Sequence, residues 1–315
     1  MLRPLLIAAC AALLPLGALG ADLDGDGLDD GLEDALLQRF APVVLLAPGE
    51  RARPASVPWF LARSAGVPRE LKAAPPRPLV AEAGMFALPL RLRPRLRPAR
   101  SARPGSADRR DWTVYGHVAP ARRGGVLVQY WFFYPFNAGR WLFDHEGDWE
   151  HVTVKLGPGL SPEGAWYARH GDSHPGRWFA WAALAREGEH PVVLSARGTH
   201  ASYAAPWDTR FYDRTCRAQE PMAAAVAGCE IWRTWSPESG GVMNAGERER
   251  PRPGAEFIAW PGEWGATGGL GRPGGAPPGP AFQAGWCAEA AEGCFRESRG
   301  GASPGGGQEE VSRQP

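Results

Sequence analysis

Residues 143–156, FDHEGDWEHVTVKL, constrain this chain more than any other stretch. Val152, Val154 and Leu156 recur at every second position, the period of a strand with one buried face. The same parity places Asp148 and Glu150 on that face. Ionised carboxylates there are costly unless something cationic compensates them. Either an arginine such as Arg140 or Arg169 closes a salt bridge, or a metal ion sits at the strand end. His145 adds an imidazole donor just upstream, so His145, Asp148 and Glu150 are the candidate shell of a divalent cation. Carboxylates outnumber nitrogen donors, which favours Ca2+ or Mg2+.

From Asp111 onward, short apolar or aromatic segments at 112–118, 126–134, 148–156, 165–170, 178–182 and 191–196 are separated by Gly and Pro. That spacing predicts an antiparallel β-sandwich rather than alternating βα units. Residues 126–134, VLVQYWFFY, are apolar on both faces, as a central strand covered on both sides is. Further strands are expected at 43–46 and 257–260, and a short helix at 219–227. Residues 91–110 are rich in Arg, Pro and Ser but hold no aromatic residue to stack on bases, so they read as an exposed loop.

The first residues, MLRP, form a short basic region before an apolar run over 5–19, and Ala18-Leu-Gly20 supplies small residues for cleavage before Ala21. The run is short and interrupted by Pro15, which argues against a membrane span. A signal peptide over 1–20 implies a secreted or periplasmic protein. Its removal takes Cys10 and leaves Cys216, Cys229, Cys287 and Cys294. An even number in an exported chain reads as two disulfides, with the local pairs Cys216–Cys229 and Cys287–Cys294 favoured among three pairings. Charge is balanced, with 35 basic and 34 acidic residues, so nothing steers the chain to nucleic acid. The expected organisation is a signal peptide (1–20), a calcium loop and short helix (21–40), one β-sandwich domain with long irregular loops (41–295) and a disordered tail (296–315).

Residues 22–33, DLDGDGLDDGLE, fit a twelve-residue calcium loop position by position. Asp22, Asp24, Asp26, Asp30 and Glu33 offer carboxylates, Leu28 its backbone carbonyl, and Gly27 the sharp turn that a hard cation requires. Helical spacing of Leu32, Leu36, Leu37 and Phe40 continues the loop into an amphipathic helix ended by Pro42. Cleavage at Ala21 leaves no preceding helix, so the loop resembles the calcium loops of dockerins and thrombospondin type-3 repeats more than an EF-hand.

YWFFYPFN at 130–137, HEGDWEHV at 145–152 and GTHASY at 198–203 together resemble the vacuolar protein sorting-associated protein 62 family, as do RFAPVV at 39–44 and WPGEWG at 260–265. The likeness is to its bacterial secreted members and extends roughly from the calcium loop to Cys287. The family name implies no defined chemistry. A shorter stretch, His145, Asp148, Trp149 and Glu150, is similar to the heptad Gly-His-Arg-His-Asp-Trp-Glu of the necrosis-inducing cytolysins. That resemblance implies a β-sandwich in which the matching His, Asp and Glu surround a divalent cation and the protein docks on glycosylated sphingolipid headgroups. Gly147 stands where that family has its second His.

His200, in GTHAS at the end of an apolar strand, is a candidate ligand contact or general acid/base. His170, in HGDSH, is a second acid/base candidate, although the downstream Asp-x-x-His of Gly-Asp-Ser esterases is missing. Trp141 and Trp149 flank the proposed cation and are candidate contacts for a sugar or lipid headgroup. Three functions follow. The first is cation-dependent surface recognition of a glycan or lipid headgroup, with peripheral membrane contact. The second is a metal-dependent hydrolase using His200 or His170 for proton transfer. The third is a structural surface protein stabilised by calcium.

Overall fold

The computed structural model describes residues 20–73, 94–121, 124–139, 144–169, 176–204, 229–266 and 277–286, and it is mainly β. The elements are α1 (Asp30–Arg39), β1 (Val43–Leu46), α2 (Val57–Leu61), β2 (Ser64–Ala65), β3 (Arg97–Pro98), β4 (Val114–Pro120), β5 (Val126–Asn137), β6 (His145–Leu156), β7 (Pro162–Tyr167) and β8 (Arg177–Ala180). They continue with β9 (Arg186–Glu187), β10 (His190–Ser195), β11 (Ser202–Ala204), β12 (Glu230–Arg233), β13 (Val242–Asn244), β14 (Gly246–Glu247) and β15 (Arg250–Pro251). The leader, the 219–227 helix, Cys216, Cys287, Cys294 and the 296–315 tail lie outside the described residues.

Two larger sheets carry the architecture. One runs β13-β4-β5-β6-β7-β8 and the other β11-β10-β1-β12, with β9 paired to β10. Inward side chains of both, such as Val128, Tyr130 and Val154 from the first and Val44, Val193 and Trp232 from the second, belong to one apolar cluster with Leu36, Leu37 and Phe40 of α1. The alternate residues of β5 and β6, Trp131, Phe133 and Trp149, face a second cluster built from Val57 and Phe60 of α2 with Phe257, Trp260, Trp264 and Trp286. The central β5 is therefore covered on both faces, as its unbroken apolar run implies. Val43, Leu45, Val192 and Leu194 bury the outer face of the smaller sheet.

Pairing is mainly antiparallel, as expected, with two parallel exceptions. β1 pairs with β10 in parallel, Val43 opposite Val192, and β13 pairs with β4 in parallel. Neither pair is joined by a tight turn, so no hairpin forces them antiparallel. The expected strand at 257–260 is instead a 3-10 turn, Glu256–Ala259, whose amides bond backward: Ile258 N to Ala255 O and Trp260 N to Phe257 O, both at 3.0 Å. A four-residue apolar run has no period that separates strand from helix. Here it satisfies its own backbone while lying on the outer face of the larger sheet.

Helix α1 begins under the Asp29 cap, whose Oδ1 accepts from Leu32 N at 2.9 Å. At its other end the Tyr130 hydroxyl donates to the carbonyl of Leu37 at 3.0 Å, satisfying a helix-end acceptor from the middle of β5. The helix reaches the sheet because β4 presents Gly116 to it. A Cβ on Gly116 would lie 2.3 Å from Leu37 Cδ2. Gly116→Ala should therefore lower stability by about 1–3 kcal/mol through overpacking, measured as a lower urea midpoint with β-type circular dichroism retained. An unchanged midpoint would show that α1 is free to shift.

Candidate functional site

The acidic loop at 22–33 folds inward on its own backbone. Asp22 Oδ1 accepts from Gly25 N at 2.7 Å, and Asp26 Oδ1 accepts from Leu28 N at 2.7 Å. Donor atoms of Asp22, Asp24 and Asp26 lie within 4.8 Å of one another, as do those of Asp24, Asp30 and Glu33. Asp24, Asp26 and Glu33 are buried, and Asp24 Oδ1, Asp26 Oδ2 and Glu33 Oε1 have no hydrogen-bond partner. Burial first, then the charges of Asp26 and Glu247, push the Asp24 carboxyl up to about 6. Burial also pushes Glu33 up to about 8, against the Asn244 Nδ2 bond at 3.0 Å. An oxygen-only cluster with inward, unpartnered acceptors can hold a hard metal ion. Asp30 is also paired with Arg252 Nη1 at 2.5 Å, so one of its oxygens already meets a cation of the protein's own.

The second cluster lies at the head of β6. Asp148 and Glu150 share the inner face with Val152, Val154 and Leu156, all of which line the core between the sheets. Strict alternation would send His145 to the opposite face. Instead His145 Nε2 lies 3.6 Å from Asp148 Oδ1. The break in alternation falls at Gly147, which adopts a φ of 66°, a region that favours glycine. Its site is also closed to a side chain, because a Cβ would approach the Trp264 carbonyl to 2.3 Å.

Asp148 Oδ2 meets His200 Nδ1 at 2.8 Å. On its other side, His200 Nε2 is 3.8 Å from Glu50 Oε1, and the imidazole stacks on Tyr134 at 3.8 Å with planes 6° apart. Burial opposes charge on His200, but its pairing with Asp148 and Glu50 outweighs this and holds its pKa at about 9. Burial likewise opposes charge on Glu50. His200 and the amides of Ala52 and Gly198, at 2.8 and 2.6 Å, reverse that and hold it at about 2. Burial raises the Tyr134 phenol, and the charges of Glu50, Glu150 and Asp148 raise it further, so the three carboxylates bear on one ring. The protein thus supplies a cation of its own, the His200 imidazolium, between Asp148 and Glu50.

The His145 to Asp148 separation exceeds a hydrogen bond. It matches the roughly 3.3–3.7 Å between neighbouring ligands of an ion bound at calcium distances. With His200 holding the other Asp148 oxygen, the pair has the form of a metal ligand and its orienting partner. Among the described residues, however, only the N-terminal loop brings three such donor atoms within 4.8 Å of one another. Trp149 is buried, 4 % exposed, among Tyr115, Phe133, Phe257 and Trp264, so its ring is core rather than a surface contact. His200 is 1 % exposed and pairs with Asp148 at 2.8 Å, so it is placed as an orienting partner of that carboxylate. Trp141 and His170 lie outside the described residues. Glu50 and Tyr134 were not among the sequence candidates. Glu50 follows β1 in a Pro-Gly turn, and the parallel pairing of β1 with β10 is what sets that turn beside His200.

No protein-family model matches the chain. It is similar to vacuolar protein sorting-associated protein 62 of Saccharomyces cerevisiae, 27 % identical over 186 residues that cover 48 % of this chain and 38 % of that protein. It is also similar to the putative vacuolar protein sorting-associated protein TDA6 of the same yeast, 32 % identical over 120 residues, 29 % of this chain and 26 % of that one. The chain therefore spans well under half the length of these curated relatives. The resemblance carried by the motifs at 130–137, 145–152 and 198–203 agrees with these matches. Among solved structures, Necrosis and Ethylene inducing Protein 2 from the causal agent of cocoa's Witches Broom disease matches with a TM-score of 0.32 and 16 % identity, over 56 % of this chain and 69 % of that one. NLPPya in complex with glucosamine matches with a TM-score of 0.34 and 16 % identity, over 73 % and 79 %.

The acidic loop has a pH signature in metal-free protein. Folded, Glu33 holds its proton up to about 8, against the usual carboxylate value of 4.5. The folded state then binds more protons than the unfolded state between those values, so stability falls as pH rises through that window. In chelator, the melting temperature should drop between about pH 5 and about pH 8, and calcium should flatten the slope by taking the protons' place. Equal melting temperatures at both ends in chelator would contradict this account of Glu33.

Proposed function

We propose that this chain is an exported, cation-dependent recognition module for a glycan. A structural calcium ion occupies the N-terminal loop, and a second divalent cation, Ca2+ or Mg2+, binds at the head of β6. The observation that supports the second site is the disposition of Asp148. One carboxylate oxygen is held by His200 at 2.8 Å while the other faces His145 Nε2 at 3.6 Å. His145, Asp148 and Glu150 would hold the ion. A bound divalent ion would accept sugar hydroxyls into its coordination sphere.

The chain's own residues set the geometry for that chemistry. Gly147 turns His145 toward Asp148. The stack of His200 on Tyr134, together with Glu50, fixes the Asp148 carboxylate from behind, as orienting groups do at metal sites. The resemblance of residues 145–150 to the cytolysin heptad supports a sugar-bearing ligand. The leader-like residues 1–20 support export, and the even number of cysteines that remain supports the pairs Cys216–Cys229 and Cys287–Cys294.

Calorimetry on wild type, Asp148→Ala and Glu150→Ala, each with the N-terminal loop silenced by Asp24→Asn, tests the second site directly. Each substitution should abolish the remaining calcium or magnesium binding event. Binding to a glycan panel should fall at least about tenfold, as it should for wild type in chelator. Unchanged metal affinity in both variants would remove the site. Retention by lipid vesicles lacking sugar would redirect the ligand to a lipid headgroup, and released products would redirect the function to hydrolysis.

A further inference from the structure

Asn244 stands where the acidic loop, helix α1 and the edge of the larger sheet meet. Glu33 and Leu37 are related as i and i+4, so they share one face of α1. That face rests on β4 because Gly116 leaves room for Leu37, and Gly116 is the residue opposite Asn244 in the parallel β4 and β13 pair. The strand period puts Asn244 on the same face of β13 as Val242, which packs on the core that α1 also lines. Glu33 and Asn244, 211 positions apart in sequence, are thereby brought together.

Its neighbours fix the orientation of the Asn244 amide. Oδ1 accepts from Gly246 N at 3.0 Å, so Nδ2 is the atom turned to the helix. Nδ2 donates to Glu33 Oε2 at 3.0 Å and to Asp34 Oδ1 at 3.1 Å, which engages both of its hydrogens. Asp30, the other acid that the loop pattern draws from α1, is held differently, by Arg252 Nη1 at 2.5 Å. Arg252 brings a positive charge, whereas Asn244 is neutral. The amide therefore sets where the Glu33 carboxylate points and leaves its charge uncompensated.

Glu33 is 1 % exposed, and its second oxygen, Oε1, has no hydrogen-bond partner. Glu33 offers a donor atom within 4.8 Å of donor atoms on Asp24 and Asp30. Asp24 is 4 % exposed, and its Oδ1 is likewise buried without a partner. An apolar pair would join α1 to β13 without burying a carboxylate among other acids. What the amide adds to that contact is direction: one Glu33 oxygen is held against β13, and the other is left to the acidic cluster.

We propose that Asn244 is a positioning residue of the N-terminal cation site, holding Glu33 Oε2 from outside so that Oε1 is presented to a hard divalent cation. This deepens the reading of residues 22–33 as a calcium loop and rests on it. The twelve-residue pattern supplies the ligands, and β13 supplies the group that aims the last of them. Asn244 acts through Glu33 and is not itself a ligand.

Calcium titration and thermal melting of the full, chelator-stripped chain test this with wild type, Asp24→Asn and Asn244→Ala. Asn244→Ala should weaken the binding event that Asp24→Asn removes by about 10–100-fold, as loss of an orienting partner at a metal site does. It should also shrink the calcium-induced rise in melting temperature. A contact that only joins α1 to β13 would lower the melting temperature equally with and without calcium and keep the wild-type affinity, and that result overturns the proposal. No effect of Asp24→Asn overturns the loop reading itself, and this proposal with it, which distinguishes the two failures. Hydrogen exchange on wild type gives a second reading that does not depend on the variant folding. Calcium should slow the Gly246 amide, which Asn244 Oδ1 holds, as well as amides at 22–33, whereas slowing confined to 22–33 also overturns the proposal.

Discussion

A carboxylate carried into the interior of a sheet must meet positive charge or well-placed donors, and this requirement organises the molecule at both acidic clusters. At the head of β6 the protein answers it with its own groups. His200 stands between Asp148 and Glu50, and backbone amides of Ala52 and Gly198 complete the support of Glu50. At the N-terminal loop the answer is incomplete. Arg252 and Asn244 reach Asp30 and Glu33, yet three buried carboxylate oxygens stay without a partner. The loop is therefore where a metal ion has the most to gain.

His200 shows what the first arrangement costs. It adopts a φ of 55°, and it is one of two residues other than glycine with positive φ among the described residues. A left-handed conformation costs a non-glycine residue roughly 1–2 kcal/mol. The turn that holds it is over-determined: His200 N bonds Ala196 O at 2.8 Å, Ala196 N bonds Ala201 O at 3.1 Å, and Gly198 N bonds Glu50. The strain sets the imidazole flat on Tyr134 with a nitrogen toward each acid. Such a side chain is a scaffold for Asp148 rather than a mobile proton carrier.

Much of this was legible in the sequence where a short period dominates. The strands at 43–46 and 126–134 and the inner face shared by Asp148, Glu150 and Val152 follow from apolar spacing alone. The meeting of His145 with Asp148 does not, because strict alternation separates them and only the positive φ of Gly147 rejoins them. Glu50 was hidden for a topological reason. Parallel pairing of β1 with β10 sends the turns after both strands to the same edge, whereas an antiparallel sheet would have put them at opposite ends. Trp149 misled because neighbouring a charged motif does not place a ring on its face; in a strand the next residue points the other way.

The two clusters share a layer, which bears on how they depend on one another. Helix α1 leaves the acidic loop and hands its last carbonyls to Tyr130 on β5, and four residues on, the same strand presents Tyr134 to His200. Adjacency of this kind is not by itself coupling. The turn at His200 is closed by its own bonds to Ala196 and Glu50, and Asp148 is placed by its pairing with Tyr134 within the β5–β6 ladder. Loosening α1 removes burial from the common core without moving those bonds. An ion bound in the loop would therefore raise the stability of the whole while leaving the geometry at Asp148 to its local contacts, so the proposed structural and recognition roles are physically separable within one fold.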